Sequence, residues 1–191
     1  MHDMIDARSN PFSDRLHRLL REALGDNERV LWQAHPDALA HMLMFRFMWW
    51  IGIPWLVLTL VAMSQHWLGD VAMPVLLFGV MLVAAPFVIY LHDLQVLFVV
   101  TNRRALIVRC AWGRDIVTPT LFRDMDGEIE ILEAGHGTAH LNFASNRSTR
   151  SPDTDFTGRY GFRSIRNAAQ VRAMIEAARQ GKAAPTMAQK P

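Results

Sequence analysis

A single cysteine, Cys110, is all that the 191-residue chain contains, which excludes an internal disulfide and any cysteine-based zinc site. Charge is missing from two long stretches: no Asp, Glu, Lys or Arg occurs from Phe47 to Met63 or from Val71 to Leu91. The short connector between them, Ser64 to Asp70, has neither Lys nor Arg. No phosphate-binding glycine loop, dinucleotide fingerprint or nucleophile elbow is present. The formal net charge of +2 gives no overall electrostatic footprint for nucleic acid. Internal repeats are also missing.

The two uncharged runs are what the chain has in place of these motifs. Each is close to the roughly 20 residues that carry a helix across a bilayer core. As a buried helix pair of a soluble protein they would have to hide every face inside a small domain. The first run begins after a charged amphipathic segment and is followed by a second, which is not the pattern of a signal peptide. Gly52 and Pro54 fall inside the first span, which enters near Leu43. Pro74 lies in the first turn of the second span and Pro86 near its end, positions that membrane helices tolerate. Trp49 and Trp50 mark one boundary, Trp67 the other and Tyr90 the exit side, as expected of rings at headgroup depth. Neither run contains a charged residue, which argues against a transporter.

Two spans joined by a short connector form a helical hairpin and leave both flanks on one side. Arg46 precedes it, and Arg103, Arg104, Arg109 and Arg114 follow it. The positive-inside rule therefore places both termini in the cytoplasm. Residues 92–191 carry fourteen Lys/Arg against ten Asp/Glu. The arginines nearest the spans, Arg46, Arg103, Arg104 and Arg109, are candidates for orienting the domain against anionic headgroups, at about 1 kcal/mol for each cation near the surface. Serving only the topology rule is the simpler account of the same residues.

The flanks read as ordinary secondary structure. After a loose start at residues 1–10, Asn10 can cap a helix that Gly25 ends. Its leucine face suits either the inner membrane surface or the protein's own soluble domain. Val30 to Gln33 is a short extended piece before Pro36. Beyond the second span the period changes to two: "LQVLFVV" and "RALIVR" are strands around Thr101-Asn102-Arg103. Trp112-Gly113-Arg114 predicts a turn and "DIVTPTLF" a further strand. A second hairpin turns at Gly135-His136-Gly137, residues 144–160 form a polar loop, and "RYGFRSI" is a final strand. Asn167 to Gly181 is an amphipathic helix with Asn167 as its cap. The organisation predicted is an N-terminal helix and strand over 1–41, a transmembrane hairpin over 42–91, a cytoplasmic domain over 92–180 and a disordered tail over 181–191.

Chemistry-bearing clusters are weak. His136 and His140 are four apart but span a turn, so the logic of zinc-binding helices fails. Asp124, Asp126, Glu128 and Glu130 lack the spacing of a calcium loop and run into a strand. Asn146 opens a formal glycosylation motif, irrelevant in the cytoplasm. Cys110 sits in an alternating strand as a small buried thiol. No metal, cofactor or catalytic group is expected.

Four stretches resemble the bacterial pleckstrin-homology (PH) domain membrane proteins, the YdbS-like group. They are "NERVLW" with the following "AHP", "VTNRRALIVR", "EAGHGTAHLNF" and "FRSIRNAAQVRAMIEAA". Together they cover most of residues 27–180, except the loop 144–160. The resemblance implies an α+β, PH-like fold: a bent antiparallel β-sheet or barrel closed at one end by the C-terminal helix. It also implies a bacterial inner-membrane protein, in a family of which one subgroup assists assembly of photosynthetic complexes. The function expected is an anchored adaptor or assembly factor that contacts a membrane or cytoplasmic protein, and membrane lipids, without catalysis. A small channel built from an oligomer of hairpins and a lipid-acting enzyme are the alternatives.

Overall fold

Six consecutive apolar or β-branched residues, Val96–Thr101, form a strand in which every residue is buried. This strand organises the rest. In a computed structural model, residues 10–111, 114–145, 154 and 158–181 are described. The loose start before Asn10, the turn at Trp112-Gly113, most of the 144–160 loop and the tail from Lys182 lie outside them. The chain divides into two compact units, one formed by residues 1–37 with 93–191 and the other by 38–92.

In the first unit, α1 (Ser13–Ala23) precedes β1 (Val30–Ala34). After the insertion come β2 (Val96–Thr101), β3 (Arg104–Ala111) and β4 (Arg114–Leu121). With β1 they make a four-stranded antiparallel sheet in the order β1-β2-β3-β4. A second sheet holds β5 (Glu130–Gly135), β6 (Thr138–Ala144) and β7 (Tyr160–Ile165) in sequence order. The last helix is α5 (Ala168–Arg179). The unit is thus α+β, and among the described residues the two sheets do not close into a barrel.

The alternation of strands explains the layers. Val96, Phe98, Val100, Ala105 and Ile107 share one face and join Leu141, Phe143, Tyr160 and Phe162 of the second sheet with Val171 and Ile175 of α5. Phe98 stacks on Phe162 at 4.8 Å between ring centroids. Leu97, Val99, Leu106, Val108 and Cys110 share the opposite face and meet Leu16 and Leu20 of α1. Of the two places open to α1 on sequence grounds, it takes the one on its own domain. Gly161 shows how close the second sheet packs: a Cβ there would overlap the Leu141 carbonyl oxygen.

Local details depart from the sequence expectations. The N-terminal segment is not separate from the later domain, because β1 pairs with β2 and completes its sheet. Helix α1 ends at Ala23, before Gly25, with Leu24 already extended. Asn167 stands at the start of α5, but in the left-handed region and without a side-chain cap. Its backbone carbonyl accepts from Gln170 and Val171 instead.

In the second unit, α2 (Ala38–Met44) leads into α3 (Phe47–Ser64), and α4 (Ala72–Asp93) follows the connector. The first long apolar helix therefore begins at Phe47, not near Leu43. Between α2 and α3 the hydrogen bonds tighten to residue i−3, as from Phe45 to Met42 and from Trp49 to Arg46. Both long helices have the length and composition to cross a membrane, and only 11% of each apolar window is buried, unlike the core helix of a soluble protein. The helices meet at glycines. A Cβ on Gly52 would lie 2.9 Å from Val83, and one on Gly79 2.6 Å from Leu56. Small residues of this kind let apolar helices approach closely. Two tryptophans of α3 donate across the seam to carbonyls of α4, Trp49 Nε1 to Val83 at 3.1 Å and Trp55 Nε1 to Val75 at 3.0 Å.

The sole cysteine reports on the α1 layer. Leu16→Ala should cost about 2–4 kcal/mol by leaving a cavity between α1 and the sheet. It should also speed labelling of Cys110 by a thiol reagent, measured by absorbance under native conditions, whereas the parent protein labels only on unfolding.

Candidate functional site

The hairpin β2–β3 turns at Asn102-Arg103, and the segment before β1 is zipped onto that turn. Asn102 Oδ1 accepts the Arg29 N–H at 3.0 Å, and the Asn102 N–H donates to the Arg29 carbonyl at 3.1 Å. Asn27 adopts φ +62° to bring the chain round, a conformation that asparagine tolerates better than most residues. Beneath this lies a charged knot. The Glu28 carboxylate accepts Arg104 Nε at 2.8 Å, Arg104 Nη2 at 2.7 Å, the Thr101 hydroxyl at 2.7 Å and the Gly25 N–H at 3.0 Å. Arg104 Nη2 also donates to the last carbonyl of α1, Ala23 O, at 2.9 Å. The Glu28 side chain is only 2% exposed, and the bidentate partner offsets the cost of taking its charge out of water. The Arg104 hydrogen bonds hold its pKa down to about 2 against the opposing effect of burial.

The four arginines grouped by sequence do not form a cluster on this sheet. Arg104 is engaged with Glu28 and α1. Arg103 is exposed at the turn. That turn is at the far end of β2 from Asp93, where the chain arrives from the helical unit; six residues of strand span about 20 Å. Arg109 is in register with Val96 at the near end of the sheet. It is 9% exposed and shares a face with Ala105 and Ile107. Arg46 is exposed and belongs to the other unit, at the tightened junction of α2 and α3.

The aromatic candidates also differ among themselves. Trp50 and Trp67 are the open ones, at 80% and 76% exposure. Tyr90 is half-buried. Trp49 is half-buried, with its ring against Phe87 and its N–H on Val83 O. Trp55 is a further ring engaged in this way: a tryptophan well inside an apolar run is itself a signal of an internal hydrogen bond. Glu28 carried no comparable signal, since nothing local distinguishes it from Glu22 or Asp26. Among the described residues no group of three or more His, Cys, Asp or Glu side chains is arranged to hold a metal. Burial raises the Cys110 thiol pKa, the opposite of what a nucleophile needs.

No protein-family model matches the chain, and no curated protein or solved structure matches it.

The knot predicts an acid dependence. Because Glu28 is held below its ordinary value of 4.5, its contribution to stability is complete above that value and is lost as pH falls toward about 2. Glu28→Gln should cost about 2–3 kcal/mol at neutral pH and flatten the stability profile in that acid window, as measured by chemical unfolding followed by tryptophan fluorescence.

Proposed function

We propose that the chain is a membrane-anchored adaptor whose helical hairpin crosses the bilayer and whose sheet-and-helix unit binds another protein. The observation that carries this reading is where the hairpin is inserted. Ala34 at the end of β1 pairs with Phe98 near the start of β2, so the two apolar helices replace the turn of an ordinary strand pair. The chain leaves and re-enters the sheet-and-helix unit through two neighbouring strands of one sheet. A membrane anchor joined in this way to a sheet-and-helix unit suits a binding module, as in an assembly factor.

The same reading takes the unit as a PH-like domain of the YdbS-like kind. Two antiparallel sheets sharing a core with one terminal helix favour it, as do the four resembling stretches. The membrane is the bacterial inner membrane, with both termini cytoplasmic by the distribution of arginine. Arg46 is the arginine best suited to an anionic headgroup, because it is exposed beside Phe47, where the long apolar helix begins. Trp50 and Trp67 take headgroup depth. The exposed turn at Arg103 is the surface offered to a protein partner.

Purification of the full chain from its native membrane in mild detergent, with crosslinking before extraction, tests the adaptor reading. The expected result is a reproducible stoichiometric complex with another protein that survives Arg46→Gln. A lone monomer under every condition, crosslinked or not, overturns it.

A further inference from the structure

The second sheet carries a backbone irregularity at a definite place. Between the pairs Ala139–Ile165 and Leu141–Phe162, β6 contributes one residue, His140, and β7 contributes two, Arg163 and Ser164. This is a β-bulge, a device that re-aims a strand or ends its pairing. Ser164 is fully buried and has φ +48°, a left-handed conformation that costs a serine about 1–2 kcal/mol. Two hydrogen bonds hold it there. Its N–H donates to His140 Nδ1 at 3.0 Å. Its carbonyl accepts the Asp37 N–H at 2.8 Å. The Asp37 carboxylate in turn accepts Arg166 Nε at 2.7 Å.

Asp37 is the last residue of this unit before the chain passes into the helical one. β1 ends at Ala34, so residues 35–37 are a strap leading out of the sheet, and the bulge ties that strap to β7. A backbone N–H can only donate, so Nδ1 of His140 must present a lone pair, with the ring neutral and its proton on Nε2. A proton taken from solvent onto Nδ1 would turn the acceptor into a second donor facing the first. The Ser164 N–H would then be buried without its partner, and the left-handed conformation would lose one of its two supports.

We propose that the His140–Ser164 bulge is a proton-sensitive clamp: it holds the Asp37 strap against β7 while His140 is neutral and releases it when His140 is protonated. Histidine is the side chain whose charge ordinarily changes near neutral pH. The titratable and charged groups on the strap and on the elements of this unit include His35, whose Nδ1 lies 2.8 Å from the Val96 carbonyl oxygen. On β5, Leu132 stands opposite His140, with Glu133 beside it opposite Ala139. On β7 and just beyond it are Arg163 and Arg166, the latter bound to Asp37. On α5, Arg172 pairs with Glu176, and Arg179 donates to the Asp126 carbonyl. The clamp does not depend on the adaptor reading, because it concerns only how the strap is held.

Amide hydrogen exchange on the full chain in detergent tests it, at about pH 7.5 and about pH 5.5, a range that spans ordinary histidine titration. After correction for intrinsic exchange, the Asp37 and Ser164 amides should lose roughly tenfold protection at the lower pH. His140→Gln offers a carbonyl oxygen that accepts without titrating, so it should abolish that loss. An unchanged loss in His140→Gln, or no loss in the parent protein, overturns the proposal. If the variant does not fold, the parent protein decides alone by magnetic resonance. The His140 ring signals and the Ser164 amide signal should then move with one common midpoint, and separate midpoints overturn the clamp.

Discussion

The whole first unit depends on one constraint: the central strands β2 and β3 are apolar on both faces and must be covered twice. Strands of this kind read as continuous apolar runs, and they are stable only between two layers. One layer is α1, from the beginning of the chain. The other is the second sheet with α5, from its end. The two covers come from opposite sides of the long apolar insertion. The unit therefore forms only by bringing residues 1–37 together with residues 93–191 across the insertion. Strand β1 completes that return by pairing with β2, and Trp32 closes against Phe162 of the second sheet.

Charge then acts at the strand ends, not on the faces. Glu28 and Arg104 tie the end of α1, the start of β1 and the first hairpin turn into one knot. Arg15 and Asp115 make a second, exposed link between α1 and β4 at 2.8 Å; a pair of that kind contributes little by itself. The Glu28–Arg104 knot matters more, because removing Arg104 leaves the enclosed Glu28 carboxylate without its bidentate partner. It also changes what the arginines of the first hairpin mean. The length of β2 separates Arg103 and Arg104, at the hairpin turn, from Arg109, which the antiparallel return sets beside Val96.

The helical unit obeys a different economy. Its outward residues, such as Ile51, Leu58, Val80 and Met81, are apolar and exposed, as suits a lipid surroundings. Its specificity is at the seam, where Gly52 and Gly79 admit the facing helix and two indole N–H groups find carbonyls. Trp49, one of the rings expected at headgroup depth, also has its indole N–H satisfied inside the hairpin.

The sequence by itself determined the two uncharged helices, the change to strand periodicity after Leu91, the hairpins at Asn102-Arg103 and at His136, the final helix and the buried state of Cys110. Each rests on local composition or on a period of two or 3.6 residues, which a short window contains. Only the tertiary structure decided that β1 belongs to the sheet, that α1 lies on it, that Glu28 is the partner of Arg104, and that Ser164 bends β7 toward Asp37. All of these join residues separated by the insertion or by a long loop. They depend on which strands pair and in what register, and no local pattern carries that information.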